Sequence, residues 1–185
     1  MVQKNLKLVA LAVLMGTVST GCSLVGEHKM TGGGTIDSAG GDKKAVFTFN
    51  AERCDGENAK GNVIYRDESA IDFEDMGGVA LKAKLDDFGY CTIPGLEEQA
   101  ENGIACHCED QYEAQFTYTS NNPEAPGEGV GFACFFDTGE GNGRFNGVVT
   151  AMNLVDGPYA GYINHGTMNG NIQSHSCPAK TEDSE

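Results

Sequence analysis

Short runs of alternating apolar and polar residues, set between clusters of glycine, limit what this chain can become. Val79, Leu81, Ala83 and Leu85 alternate with Ala80, Lys82, Lys84 and Asp86. Tyr112, Ala114, Phe116 and Tyr118 alternate with Glu113, Gln115, Thr117 and Thr119. Val130, Phe132, Cys134 and Phe136 share one face of a third run, Ala45, Phe47 and Phe49 share a face of a fourth, and Ile71 and Phe73 of a fifth. Period two is the repeat of a strand, whose successive side chains point to opposite faces. Glycines at 32–34, 40–41, 77–78, 127–131 and 139–143 mark the turns. Further strands are expected at 29–37, 62–67, 88–93, 104–109, 144–152, 159–164 and 166–175, with one short helical turn at 96–101. Nine to eleven strands at this spacing predict an all-β fold. The expected form is a single antiparallel β-sandwich or a closed β-barrel.

The first 21 residues have a different character. Lys4 and Lys7 precede an apolar run from Leu8 to Val18, and the small residues Ser19, Thr20 and Gly21 follow. This is the pattern of an export signal, and the run is too short to span a bilayer as a helix. The expected organisation is a signal at 1–21, an anchor and tether at 22–30, an all-β domain at 31–177 and a polar acidic tail at 178–185. The 164 residues that would remain after cleavage are enough for one domain with a real core.

Seven cysteines stand at 22, 54, 91, 106, 108, 134 and 177. If Cys22 carries lipid, the even set Cys54, Cys91, Cys106, Cys108, Cys134 and Cys177 is left, enough for three disulfides in an exported chain. Six cysteines allow fifteen pairings, and the spacing does not choose among them. A direct bond between Cys106 and Cys108 is sterically disfavoured.

The chain carries a formal charge of −15. Two of its 12 Lys and Arg lie in the signal, which leaves ten against 27 acids. Residues 85–179 hold thirteen acids and a single cation, Arg144. Such a surface repels nucleic acid.

Two resemblances add to this. The stretch Val18-Ser19-Thr20-Gly21-Cys22 resembles the lipobox of bacterial lipoproteins. That likeness implies a lipid-modified Cys22 with palmitate-type acyl chains, and Ser23 after it implies sorting to the outer membrane. The mature part is then expected to face the periplasm or the cell surface, with the membrane as its first partner. Further on come Thr31-Gly32-Gly33-Gly34-x-Ile36, Phe47-x-Phe49-Asn50, Gly61-Asn62-x-x-Tyr65-x-Asp67, Val79-x-Leu81-Lys82, the turn Asn122 to Gly127, and Gly166-x-x-x-Gly170-Asn171-Ile172-Gln173-x-His175. Their order resembles a small secreted all-β domain found after "choice-of-anchor" modules in bacterial cell-surface proteins. It implies an extracytoplasmic β domain and supplies no ligand site.

Cys106-His107-Cys108 invites a metal, but it lacks the two-residue gap of zinc and redox motifs. In a strand, its cysteines would face one way and its histidine the other. The expected outcome is two cysteines bonded to distant partners beside a surface histidine. His165, His175 and Cys177 form a second candidate metal set with no specific spacing. Asp137 to Gly143 hints at a calcium loop but lacks the EF-hand positions, so turn chemistry explains it better. No Gly-x-Ser-x-Gly or His-Glu-x-x-His motif is present. The expectation is therefore a non-catalytic envelope or surface module without a cofactor, binding an outside ligand or protein. A small-ligand or metal-binding barrel carrier is the alternative, and a deep apolar cavity would favour it. A carbohydrate-active hydrolase is the third reading, which needs two carboxylates in one cleft.

Overall fold

The computed structural model describes residues 27–54, 58–91, 107–108, 111–139 and 145–178, with the backbone alone at 145 and 146. Within them the chain is all-β, with nine strands: β1 His28–Asp37, β2 Lys44–Arg53, β3 Lys60–Asp67, β4 Val79–Tyr90, β5 Tyr112–Ser120, β6 Glu128–Asp137, β7 Phe145–Leu154, β8 Tyr162–Thr167 and β9 Asn169–His175. They form one sheet in the order β6-β5-β4-β3-β2-β1-β9-β7-β8, and a further β6–β7 pairing curls it into a nearly closed barrel. The ring closes where β7 and β9 run parallel for two residue pairs, Phe145 with Gly170 and Asn146 with Asn171. All other pairings are antiparallel. The fold is thus a barrel rather than a two-sheet sandwich.

Alternation explains the core. Ala45 and Phe47 of β2, Val63 and Tyr65 of β3, Leu81, Ala83 and Leu85 of β4, and Ala114, Phe116 and Tyr118 of β5 all point inward and are buried. The β1–β9 contact depends on glycine. A Cβ at Gly34 would lie 2.6 Å from the Asn169 carbonyl, and one at Gly170 would lie 2.2 Å from the Gly33 carbonyl. Only bare backbone fits there. Among the described residues the barrel interior is filled: the gap between Ile36, Phe47, Tyr65, Phe135 and Met152 is about 20 Å³. That is room for about one water molecule, far below the ~300 Å³ of a small ligand site.

Three expectations need correction, and a fourth gains a direction. Ile71 and Phe73 do not share a strand face; they lie in a 3-10 helix, Ile71–Met76, with Ile71 exposed. Gly77 ends that helix at φ 76°, and the amides of Gly77 and Gly78 cap Glu74 and Phe73. Residues 88–90 are not the start of a new strand but continue β4 past a register shift between Leu85 and Asp87, which turns Phe88 inward. Val130, Phe132, Cys134 and Phe136 share a face as expected, and it is the outer one, because Ala133 and Phe135 carry the core side. The reason is crowding: a side chain at Gly131 would strike Leu154 and Phe116. Finally, 159–164 and 166–175 are redistributed, since Tyr159 lies in a turn and the chain leaves the sheet at Met168 between β8 and β9. The expected helix at 96–101, and most of the strand at 104–109, lie outside the described residues.

At one end of the barrel β1 begins beside the end of β2, with His28 opposite Arg53, and β9 finishes opposite Lys29. Both ends of the domain therefore leave on the same side. Cys54 and Cys177 are bonded there, across 123 residues of sequence.

Candidate functional site

Two buried carboxyl groups organise the polar chemistry. Asp67, at the end of β3 far from the chain ends, is fully buried. It accepts from Ser38 Oγ (2.5 Å), Ala39 N–H (2.9 Å) and Tyr162 OH (2.8 Å). Asn164 Nδ2 donates to Tyr65 OH (2.8 Å), which lies 2.5 Å from Tyr162 OH. A relay thus runs from Asn164 through Tyr65 and Tyr162 to Asp67. Burial pushes both phenols well above their usual range, and the Asp67 charge adds to the rise. This network stitches the ends of β1, β3 and β8 together and presents no open face.

The second centre lies on the outer wall. Glu113 sits in the polar phase of β5, opposite Cys134 of β6, yet it is wholly buried. What covers it is the bend at His107 and Cys108. Cys108 is bonded to Cys134, and Cys91, Cys108 and Cys134 form a small core outside the barrel, flanked by Phe132 and Ala151. The bend brings its donors to the carboxylate. His107 N–H (2.6 Å) and Cys108 N–H (3.0 Å) donate to Oε2, and Cys91 Sγ lies 3.4 Å from the same oxygen. Oε1 takes His107 Nδ1 (2.8 Å) and Gln115 Nε2 (2.7 Å). Burial would raise the Glu113 pKa, but the bonds from His107 and Gln115 overcome it and hold the group below the ordinary carboxylate range. Glu113 is therefore an anion at neutral pH.

His107 is not the surface histidine expected. It stacks on Phe132 with centroids 4.0 Å apart and planes 11° from parallel. It sits in a bend rather than a strand. Beside it opens a cleft of about 290 Å³, lined by Asp86, His107, Gln115, Val130, Phe132 and Val155. One buried carboxylate thus fixes two of the cleft's polar side chains. A second outer cleft runs over β3 and β4, between Arg66, Glu68, Ala80 and Asn122.

No protein-family model, curated protein or solved structure matches the chain. The site must be read from its own chemistry.

Cys108, Glu113 and Cys134 place their donor atoms within 4.8 Å of one another. The two sulfurs are already bonded to each other, so this trio lacks the thiolates a soft metal needs. The set of His165, His175 and Cys177 does not assemble as a metal site. Cys177 is bonded to Cys54, His175 Nε2 lies 2.8 Å from Thr31 Oγ1, and His165 is exposed on β8. Asp137 behaves as turn chemistry requires, accepting from Gly139 N–H (2.8 Å) and Ser174 N–H (3.1 Å). Cys22 and Cys106 lie outside the described residues. Glu113 and Asp67 escape a reading of the sequence. Each stands where an outward or terminal strand residue would be, and the only hint for Glu113 is the Cys-His-Cys triplet, whose amides need an acceptor.

Proposed function

We propose that the chain is a lipoprotein of the outer membrane, held by lipid on Cys22, whose barrel serves outside the cytoplasm as a non-catalytic binding or structural module. What supports the reading is a filled barrel clasped by two disulfides, Cys54–Cys177 and Cys108–Cys134, behind an export-type leader. Disulfides of this kind form and persist in oxidising compartments. The resemblance to secreted β domains points the same way. The filled interior counts against a carrier that holds its ligand inside. Each of the two outer clefts described above has a single carboxylate, Asp86 in one and Glu68 in the other, where a hydrolase of sugars uses two.

The test is the mass of the native N-terminal peptide together with the partitioning of Cys22→Ser. The proposal expects a chain that begins at an acylated Cys22, and a variant that leaves the membrane fraction, since stable attachment needs more than one acyl chain. A native product that starts elsewhere and is recovered free of membranes overturns it.

A further inference from the structure

We infer that the cleft on the outer wall of β4–β6 binds a small organic cation, with an ammonium or guanidinium head on Asp86 and its alkyl stem against Val130, Phe132 and Val155. The inference rests on the reading of the barrel as a binding module and gives that module its ligand class.

The first observation is charge. Asp86 is exposed and lines the cleft. Thr117 Oγ1 donates to its Oδ2 at 2.8 Å, which fixes the carboxylate on the wall. Among the described residues Asp86 has no ion-pair partner; Lys84, the preceding outward residue of β4, does not pair with it. The outward face of β4 also carries Lys82 and Lys84 before Asp86, whereas the chain from 85 to 179 holds thirteen acids and one cation. A carboxylate without an ion pair, in a chain of formal charge −15, attracts cations and repels anions.

The second observation is preorganisation. Glu113 Oε1 holds His107 Nδ1 and Gln115 Nε2 together. His107 Nδ1 is thereby occupied, and the ring is held against Phe132. Polar side chains that are locked before a ligand arrives lose little freedom on binding. The third observation is the apolar lining. Val130 and Val155 are 40% and 53% exposed, and with Phe132 they offer a surface for methylene groups. At about 290 Å³ the cleft suits a ligand at the small end of the usual range. A cationic head with a short stem satisfies all three features. A neutral sugar would leave the Asp86 charge uncompensated, and an anion would face it directly.

The test is calorimetric titration of the purified full-length protein with agmatine and pentylamine, and with pentanol and glucose as uncharged controls. Capped arginine methylamide distinguishes a guanidinium borne by a peptide from a free amine. The expected result is binding of one or both cations, no measurable binding of pentanol or glucose, and affinity that falls with added salt. Asp86→Asn, an exposed substitution outside the core, should weaken binding by at least about tenfold. Amide shifts on adding ligand should fall on Gln115, Val130, Phe132 and Val155. Failure of both cations to bind at millimolar concentration overturns the inference. So does equal affinity in Asp86→Asn, or pentanol binding as tight as pentylamine. None of these outcomes bears on Cys22, whose acylation is read from the N-terminal mass alone.

Discussion

Glu113 is the residue whose loss has the most definite direction. Its carboxylate receives two backbone amides, an imidazole and an amide side chain with no access to water. In Glu113→Gln the charge disappears and an NH₂ group meets donors that need an acceptor. The expected cost is about 3 kcal/mol, read as a lower urea midpoint at unchanged m-value. The pH dependence follows from the depressed pKa. A carboxylate held below its unfolded value of 4.5 gives stability that is present above that pH and is lost as pH falls through the folded value. The wild type should therefore lose stability below pH 4.5 more steeply than Glu113→Gln, in parallel urea titrations. Apart from the nearby Cys-His-Cys triplet, nothing in the sequence marks this residue. Glu113 alternates with Tyr112 and Ala114 as a solvent-facing glutamate would, and only the return of the chain at His107 and Cys108 makes it interior.

Among the elements, β3 and β8 are coupled by phenols rather than by backbone pairing, since β3 pairs with β2 and β4 while β8 pairs with β7. Tyr65 and Tyr162 bridge the barrel lumen and end on Asp67. Tyr162→Phe removes one donor to a buried carboxyl group and the partner of Tyr65, at a cost of about 1–3 kcal/mol. Both phenols are raised above the unfolded value of 10.0. Their contribution is thus fully present below pH 10 and declines above it, as the unfolded chain releases protons that the folded one retains. Phenolate absorbance from these two tyrosines should appear only together with unfolding. Tyr162→Phe should soften the alkaline fall in stability, and an unchanged alkaline profile would show that the pair titrates freely. Strand positions were largely legible at this scale. The sequence pattern places β1, β3, β5, β6 and β7 within two residues of their ends, because each strand has one face in the core, but it stops four residues short in β2 and splits β4. It erred where a register shift changes which face is inward, as at Leu85 and Asp87, and where Gly77 closes a turn of helix. In β6 the four residues expected to share a face do share one, and it faces outward, while Ala133 and Phe135 face the core.

At the scale of the molecule, the chain is held by covalent links as well as by packing. Cys54–Cys177 closes nearly the whole domain, and the unfolded chain it restrains is correspondingly long. Replacing both cysteines with serine should cost roughly 2–5 kcal/mol, measured as a loss in denaturant stability. The same protein gives a sharper check. With Cys108 bonded to Cys134, and with Cys22 carrying the proposed lipid, the cysteines left over are Cys91 and Cys106. A non-reducing peptide map should therefore show a third cross-link joining them, and free thiols at both would contradict the parity argument. The sequence made the even number legible but not the partners, since pairing depends on which strand ends the barrel brings together. The barrel itself has one more consequence. β1 is flanked on one side by β2 and on the other by β9, the last of the described strands, and the two-residue β7–β9 seam also needs β9. A polypeptide made from its amino end delivers that piece after the other eight described strands. The cylinder cannot seal before that strand arrives, so closure of the ring is the last step open to an emerging chain.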